Sequence, residues 1–292
     1  MMIDPKVALA GLFVGFVVGL TGMGGGALMT PILVLLFKIQ PLAAVSSDIV
    51  ASMIMKPVGG GVHWRRGTVN TELVRWLVLG SVPSAFLGVL LLKSSGQGEA
   101  LQHHVKLALG LALLVVASGL IIRPLLSRSR KAGDSSEPLA VKKLQTVLIG
   151  IAGGLVVGLT SVGSGSLMII LLLMLYPKLR LSELVGTDLV QAIPLVASAA
   201  LGHALFGDFQ LALTASILIG SVPGVFIGAQ LSSRAPDALI RPTLILVLLG
   251  SSLKLLGSGN LVLAVVIAVF AAAYFAVRAN ELRQARPSLK LR

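Results

Sequence analysis

The 292-residue chain is too apolar for a soluble protein of its length. Hydrophobic residues make up 55% of it, charged residues only 12%, and glycine contributes 33 residues. A soluble domain carries roughly twice that share of charged residues, and the mean hydropathy here is +0.97. Most of the apolar surface must therefore face lipid or other helices in a membrane. The apolar stretches are continuous and do not alternate with period two, which excludes a transmembrane β-barrel. We predict an all-α polytopic membrane protein.

The basic charge is typical of loops at a membrane surface. The net charge of +13 comes from Lys and Arg scattered between apolar runs, with denser clusters only near 123–143 and at the C-terminus. This pattern indicates cytoplasmic loops that touch anionic lipid headgroups, and it argues against nucleic-acid binding. The absence of cysteine excludes disulfides, iron–sulfur clusters and thiolate zinc sites. We assign no metal and no cofactor, and we expect the N-terminal segment to be retained as the first membrane segment.

The sequence repeats itself at an offset of 139 to 140 residues. Residues 19–29 return at 158–168, and residues 45–50 return at 185–190. Such self-similarity indicates two homologous halves. We predict a first transmembrane repeat at 1–127, a polar cytoplasmic linker at 128–142, a second transmembrane repeat at 143–257, and an extra transmembrane helix with a basic cytoplasmic tail at 258–292.

Each half contains four apolar runs, and the first run is divided by a glycine-rich break. In chain order the runs are 7–37, 42–62, 70–92 and 104–126, then 144–176, 184–206, 209–231 and 238–256, with a further segment near 260–280. The arms on either side of a break are short: 11 helical residues reach about 16 Å, roughly half the hydrocarbon thickness. Each break is therefore predicted near the bilayer midplane, in either an interrupted helix or a re-entrant hairpin.

The basic loops favour hairpins. If the linker is cytoplasmic, the basic C-terminal tail is cytoplasmic too only when each broken run returns to its own side. Each half then has an odd number of full spans, so the two halves are inverted relative to each other. The N-terminus is expected in the periplasm and the C-terminus in the cytoplasm. Inverted repeats with broken helices at the midplane are typical of secondary transporters.

The two breaks are predicted to bind an anion. Non-helical backbone at membrane depth must be buried in protein or line a polar cavity, and the helix that follows a break opens with unpaired N–H groups. Close helix packing by small residues is the alternative. The predicted substrate-binding residues are Thr21, Gly22, Gly24, Gly25 and Gly26 at the first break, Thr160, Ser161, Gly163, Ser164 and Gly165 at the second, and Ser47, Thr187 and Gln191 on the helices that follow.

Three ionisable residues are candidates for coupling and for the anion path. Asp48 and Asp188 are repeat equivalents near the start of a helix. They are either helix N-caps or proton-coupling carboxylates, since acids within a membrane usually mark ion or proton pathways. Lys56 either snorkels to the membrane interface or places a positive charge on the anion path. The repeated pair His63 and His203 is interpreted as inherited structure.

The motifs that carry a family resemblance lie at these positions. They are the segments Thr21-Gly22-Met23-Gly24-Gly25-Gly26 to Pro31, Val185-Gly186-Thr187-Asp188, and Gly220-Ser221-Val222-Pro223-Gly224. Over residues 7–256 the chain resembles the TauE/SafE sulfite exporter family. The resemblance implies a permease of the bacterial inner membrane that moves sulfite, organosulfonates or related small sulfur-containing anions, often outward and driven by the proton motive force. The expected partners are that anion, protons and membrane lipid, with self-association into a homo-oligomer left open. An anion channel and an intramembrane enzyme are the alternatives.

Overall fold

The computed structural model describes residues 3–21, 25–128, 140–231 and 237–285, and within these ranges the only regular structure is helical, as predicted. Gly22 and Gly24 of the first break, most of the linker and the end of the basic tail lie outside the described residues. The helices are α1 (Pro5–Thr21), α2 (Gly26–Leu35), α3 (Pro41–Arg65), α4 (Thr71–Ser94), α5 (Gly98–Arg128), α6 (Lys143–Thr160), α7 (Leu167–Leu175), α8 (Leu181–Phe206), α9 (Leu211–Leu231), α10 (Asp237–Leu255) and α11 (Asn260–Ala285).

Six of the described helices are long and apolar enough to cross a membrane, judged by length and composition: α3, α4, most of α5, α6, most of α8, and α9. The chain is therefore a multi-pass membrane protein, and its helices follow the predicted apolar runs. The first run of each half is divided as expected. It forms α1 and α2, of 17 and 10 residues, in the first half, and α6 and α7, of 18 and 9 residues, in the second.

The end of α7 lies beside the start of α6. The hydroxyl of Tyr176, the residue after α7, accepts a hydrogen bond from the backbone N–H of Lys142 over 2.9 Å. The same hydroxyl shares a 2.6 Å hydrogen bond with Oγ1 of Thr146 in the first turn of α6. The chain thus turns back at the second break, and α6 and α7 form a helical hairpin.

The first helix of each half packs against a helix of the other half at backbone contact. An ideal Cβ built on Gly15 of α1 would lie 2.4 Å from the carbonyl oxygen of Ser221 in α9. A Cβ on the repeat-equivalent Gly154 of α6 would lie 2.4 Å from the carbonyl oxygen of Ser81 in α4. These contacts leave no room for any residue larger than glycine, and small residues allow such close approach between membrane helices.

The equivalent helices α3 and α8 pack against each other and run in opposite directions. Near the start of α3, Ser46 contacts His203 near the end of α8. Further along, Gly60 of α3 lies against Ile193 in the middle of α8. The start of each helix therefore lies beside the end of the other. The loop that follows each helix lies beside the start of its partner helix.

Candidate functional site

The two breaks contact each other near the centre of the helix assembly. An ideal Cβ on Gly26, the first residue of α2, would lie 1.9 Å from the carbonyl oxygen of Ser161. Ser161 ends α6 in the left-handed conformation, with φ +62°, and Gly163 and Gly165 follow with φ +128° and +100°. Glycine adopts such angles without steric cost. Gly163 and Gly165 therefore allow the turn of the chain, and Gly26 allows the close contact between the breaks.

Asp48 connects the two breaks through a single carboxylate oxygen. Its Oδ2 accepts hydrogen bonds from the hydroxyl of Ser161 over 2.7 Å and from the hydroxyl of Thr30 over 3.0 Å. The side chain is 1% exposed. Thr30 was not among the predicted site residues, although its position just after the glycine cluster, inside a short broken helix, is the signal that could have indicated it.

Asp188 has a less complete set of partners. Its Oδ1 accepts a 2.9 Å hydrogen bond from Nε2 of Gln191. The amide oxygen of Gln191 accepts in turn from the hydroxyl of Ser81 over 3.2 Å. Oδ2 of Asp188 is buried and has no hydrogen-bond partner among the described residues. The pair of equivalent aspartates is therefore unequal, because only Asp48 holds hydroxyl donors from both breaks.

The N-cap interpretation of these two aspartates is wrong. Asp48 lies well inside α3 and Asp188 well inside α8, and the N-cap of α8 is Arg180, followed by a capping box with Glu183. Both helices begin about seven residues before these aspartates, at Pro41 and Leu181. Both carboxylates bind groups on other segments instead.

Lys56 points into the protein and binds the second break. Its Nζ donates a 2.9 Å hydrogen bond to Oγ of Ser164, and the side chain is only 6% exposed. The ammonium is also attracted electrostatically to both Asp188 and Asp48. The interpretation that Lys56 snorkels to the interface is therefore wrong: a buried ammonium remains inside a protein only when oppositely charged and hydrogen-bonding groups surround it.

A cavity of about 310 Å³ leads to Lys56. At its mouth lie His63 and the exposed Arg66, and at its inner end lie Lys56 with Thr21 and Gly25 of the first break. All three of its basic residues come from α3 or the turn after it, so the path from the surface to the breaks is positively charged. Its lining includes none of the predicted residues of the second break.

One face of α3 supplies much of this lining, and sequence reasoning missed most of it. Ser52, Met55, Gly59 and His63 line the cavity together with Lys56. Ser52, Gly59 and His63 are spaced four, three and seven residues from Lys56, which places them on its face of the helix, and Met55 borders that face. That spacing is the signal that could have extended the predicted site along the helix.

Two of the predicted residues bind loops of the opposite half. The hydroxyl of Thr187 accepts a hydrogen bond from the backbone N–H of Asn70 over 3.0 Å. The hydroxyl of the equivalent Ser47 accepts one from the backbone N–H of Gln210 over 3.3 Å. Both hydroxyls therefore position loops, and their predicted part in substrate binding stays a prediction.

The threonines that precede the breaks bond within their own helices. The hydroxyl of Thr21 donates to the carbonyl of Val17 over 2.7 Å, and the hydroxyl of Thr160 donates to the carbonyl of Val156 over 2.6 Å. Thr21 lines the cavity, whereas Thr160 is buried. Equivalent residues thus face different surroundings in the two halves.

Comparison with known proteins agrees with this architecture. The chain matches the family described as "Sulfite exporter TauE/SafE" over residues 7–255. The "Probable membrane transporter protein YjnA" of Bacillus subtilis (strain 168) is 41% identical over 257 residues, which cover 86% of this chain and 99% of the relative. The "Probable membrane transporter protein YdhB" of the same organism is 26% identical over 243 residues, covering 82% and 95%. No solved structure matches the chain.

The resemblance drawn from the sequence motifs is confirmed by these matches. The family consists of membrane transporters and not of enzymes, which removes the intramembrane-enzyme alternative. This multi-pass membrane protein belongs to the sulfite exporter TauE/SafE family.

Proposed function

We propose that this protein exports sulfite, organosulfonates or related small sulfur-containing anions across the bacterial inner membrane, by alternating access coupled to protons. The observation that carries the proposal is the position of Lys56. Its buried ammonium binds Ser164 of the second break and lies at the inner end of a cavity lined by Thr21 and Gly25 of the first. The printed name of the matching family supports the choice of substrate.

The charge of the cavity supports an anionic substrate. Arg66 at the mouth draws an oxyanion inward, and Lys56 receives it at the inner end. A sulfur oxyanion replaces Ser164 as the partner of the ammonium, because a negatively charged acceptor attracts the ammonium more strongly than a neutral hydroxyl does. The start of α2, next to Gly25, adds unpaired backbone N–H groups and the positive end of a helix dipole.

The arrangement of the helices supports inverted repeats. A two-fold axis that relates α3 to α8 must lie across these helices, since the two run in opposite directions. The reciprocal packing of α1 on α9 and of α6 on α4 is what the same axis generates. The hairpin closed by Tyr176 supports a re-entrant first segment in the second half. With basic loops inside, the N-terminus is periplasmic and the C-terminus cytoplasmic.

The buried charges support coupling to protons. Asp48 and Asp188 share one ammonium, that of Lys56, so a negative charge remains in excess when both acids are ionised. An isolated charge at this depth is costly, and a bound anion adds another. Protonation of one aspartate removes the excess and admits the substrate. Asp188 is our choice for that group, because its Oδ2 has no partner among the described residues.

Transport by purified protein in liposomes tests the proposal. Vesicles loaded with sulfite should release it faster through the wild-type protein when a proton gradient is imposed. Lys56→Gln should raise the KM for sulfite by about tenfold or more, since it removes a charge-assisted hydrogen bond. Lys254→Gln is the matched control, because Lys254 is exposed and bonds only a surface amide, that of Asn260. Unchanged sulfite kinetics in Lys56→Gln would refute the proposed site.

Flux measurements separate a carrier from the anion channel that the sequence left open. A carrier saturates with sulfite and exchanges labelled for unlabelled anion across the membrane without net current. A channel conducts without counter-exchange. Saturable exchange supports the proposal, and a single-channel conductance overturns it.

A further inference from the structure

The cavity that leads to Lys56 lies between the two halves, and the repeat-related position between them is closed. The repeat offset assigns an equivalent to every residue that lines the cavity. All of these equivalents except Leu159 and Phe206 are buried. Val45, Ile49, Ala85, Leu195 and Ala199 are among them, and these five pack against one another in one hydrophobic cluster. Of the two repeat-related positions between the halves, one thus holds an open path and the other a packed core.

His203 fastens this closed region. It is the repeat equivalent of His63 at the mouth of the open cavity, yet it is fully buried. Its Nε2 donates to the carbonyl of Gly158 over 2.8 Å, and its Nδ1 accepts from the hydroxyl of Ser46 over 2.9 Å. These two bonds connect α8 to both α6 and α3. The ring therefore holds together three helices that would have to separate for a path to open between them.

An aromatic contact covers the outer end of the same region. Phe206, the equivalent of the exposed Arg66, packs edge to face on Phe86 with ring centroids 6.2 Å apart. The ammonium of Lys93 lies 4.2 Å from the centre of the Phe206 ring. The outer end of the open cavity carries a solvated guanidinium, whereas the outer end of its counterpart is covered by packed aromatic rings.

We propose that this packed region is the second access path of the transporter, with His203 as its gate. The path runs from Phe206 past His203 and Ala199 to Ser164, and it opens when the first cavity closes. The inference rests on the alternating access in the proposed function. An anion that is carried across must bind in both arrangements, so its exchange populates both of them.

The two paths are not chemically alike. Lys56 corresponds to Val196, and Ser52 corresponds to Ala192. The second path is therefore more apolar than the first, and the anion leaves the ammonium behind when it departs by that route.

The absence of cysteine from the wild-type chain makes the experiment direct. Single-cysteine variants at Gly59 and at the equivalent Ala199 report the first and the second path. Ala117→Cys in α5 is the control for a buried residue outside both paths, since Ala117 is fully buried in the other hydrophobic cluster. The variants are placed in liposomes and treated from each side with a charged thiol reagent that does not cross the membrane. Sulfite is either absent or present on both sides.

Without sulfite, Gly59→Cys should react from the side of Arg66, while Ala199→Cys is protected. With sulfite on both sides, Ala199→Cys should react from the opposite side, because exchange populates both arrangements. His203→Leu should increase the reaction rate of Ala199→Cys about tenfold, since it removes both gate bonds. It should also lower the rate of Gly59→Cys. General loosening would raise both rates and expose Ala117→Cys, which would overturn the assignment of the gate.

Protection of Ala199→Cys under all conditions, in protein that transports sulfite, overturns the second path and leaves the proposed function standing. Reciprocal labelling in protein that does not move sulfite supports the second path and refutes the substrate. If His203→Leu does not fold, the variants that retain His203 still decide between these results. Full reaction of Ala199→Cys without sulfite, at the rate of Gly59→Cys, overturns the path as a gated one.

Discussion

The backbone N–H of Asn70 donates to the hydroxyl of Thr187 over 3.0 Å, and so ties the loop after α3 to α8. The repeat-equivalent bond joins the N–H of Gln210, in the loop after α8, to the hydroxyl of Ser47 in α3. Each half therefore binds the loop that follows α3 or α8 in the other half. These two bonds fix the ends of the antiparallel helix pair, and that pair contributes Asp48, Lys56 and Asp188.

Thr187→Val should lower stability more than it affects substrate binding. The change leaves the N–H of Asn70 without its acceptor, which costs about 1–3 kcal/mol for a buried group. Thr187→Ser retains the hydroxyl and is the control. The thermal unfolding midpoint in detergent and the KM for sulfite are the measurements. A large rise in KM with unchanged stability would show that the hydroxyl contacts the anion instead of the loop.

Gly25→Val should abolish transport, whereas Gly26→Ala should destabilise the fold. A Cβ on Gly25 meets nothing closer than 3.8 Å, and the residue lines the cavity. Valine there should block transport in a folded protein. A Cβ on Gly26 would lie 1.9 Å from the carbonyl oxygen of Ser161, so even alanine should separate the breaks and destabilise the fold.

Gel filtration and thermal unfolding, measured beside sulfite flux, distinguish these two results. Normal sulfite affinity and flux in Gly25→Val would contradict the predicted site. A stable Gly26→Ala protein would contradict the contact between the breaks.

Asp188→Asn should uncouple transport from protons. The amide keeps the size of the side chain and an oxygen for Gln191, but it cannot exchange a proton. Sulfite counter-exchange should persist while the stimulation by a proton gradient is lost. Asp48→Asn should have the smaller effect on coupling, because its amide oxygen can still accept from Ser161 and Thr30. Gradient-driven flux that is unchanged in both variants would refute the proton-coupling role of these residues.

Tyr176→Phe should loosen the hairpin of α6 and α7. It removes the acceptor for the N–H of Lys142 and the bond to Thr146, at a cost of about 1–3 kcal/mol in the free energy of unfolding. The losses of unfolding free energy from Tyr176→Phe and Thr146→Val should not add in full in the double variant. The two side chains share one hydrogen bond, which either change alone removes. Full additivity in the double variant would contradict that contact.

Much of the helix arrangement could be predicted because it depends on local sequence. Continuous apolar runs of about 20 residues predict spans, and α4 and α9 occupy such runs almost from end to end. The division of α6 from α7 follows from a segment in which Gly163 and Gly165 adopt positive φ angles that no helix contains.

The partners of the buried polar groups could not be predicted in the same way. Ser161 is 113 residues from Asp48, and Ser164 is 108 residues from Lys56. These contacts depend on which helices meet and on their rotation about their own axes, and span length and charge counts contain neither. For the same reason the sequence left two roles open for Lys56, snorkelling to the interface and a place on the anion path. The fold excludes the first.

In the proposed transport cycle, the unequal pair Lys56 and Val196 makes the two directions of transport differ. An anion that arrives through the cavity meets the ammonium before it is enclosed, whereas one that arrives from the other face crosses an apolar region first. The equilibrium distribution of the anion across the membrane does not depend on this difference. The anion concentration that half-saturates transport, however, differs between the two faces. The two repeats have kept the same helix arrangement but differ in the residues at equivalent positions. The two membrane faces of the protein therefore present different surfaces to the anion.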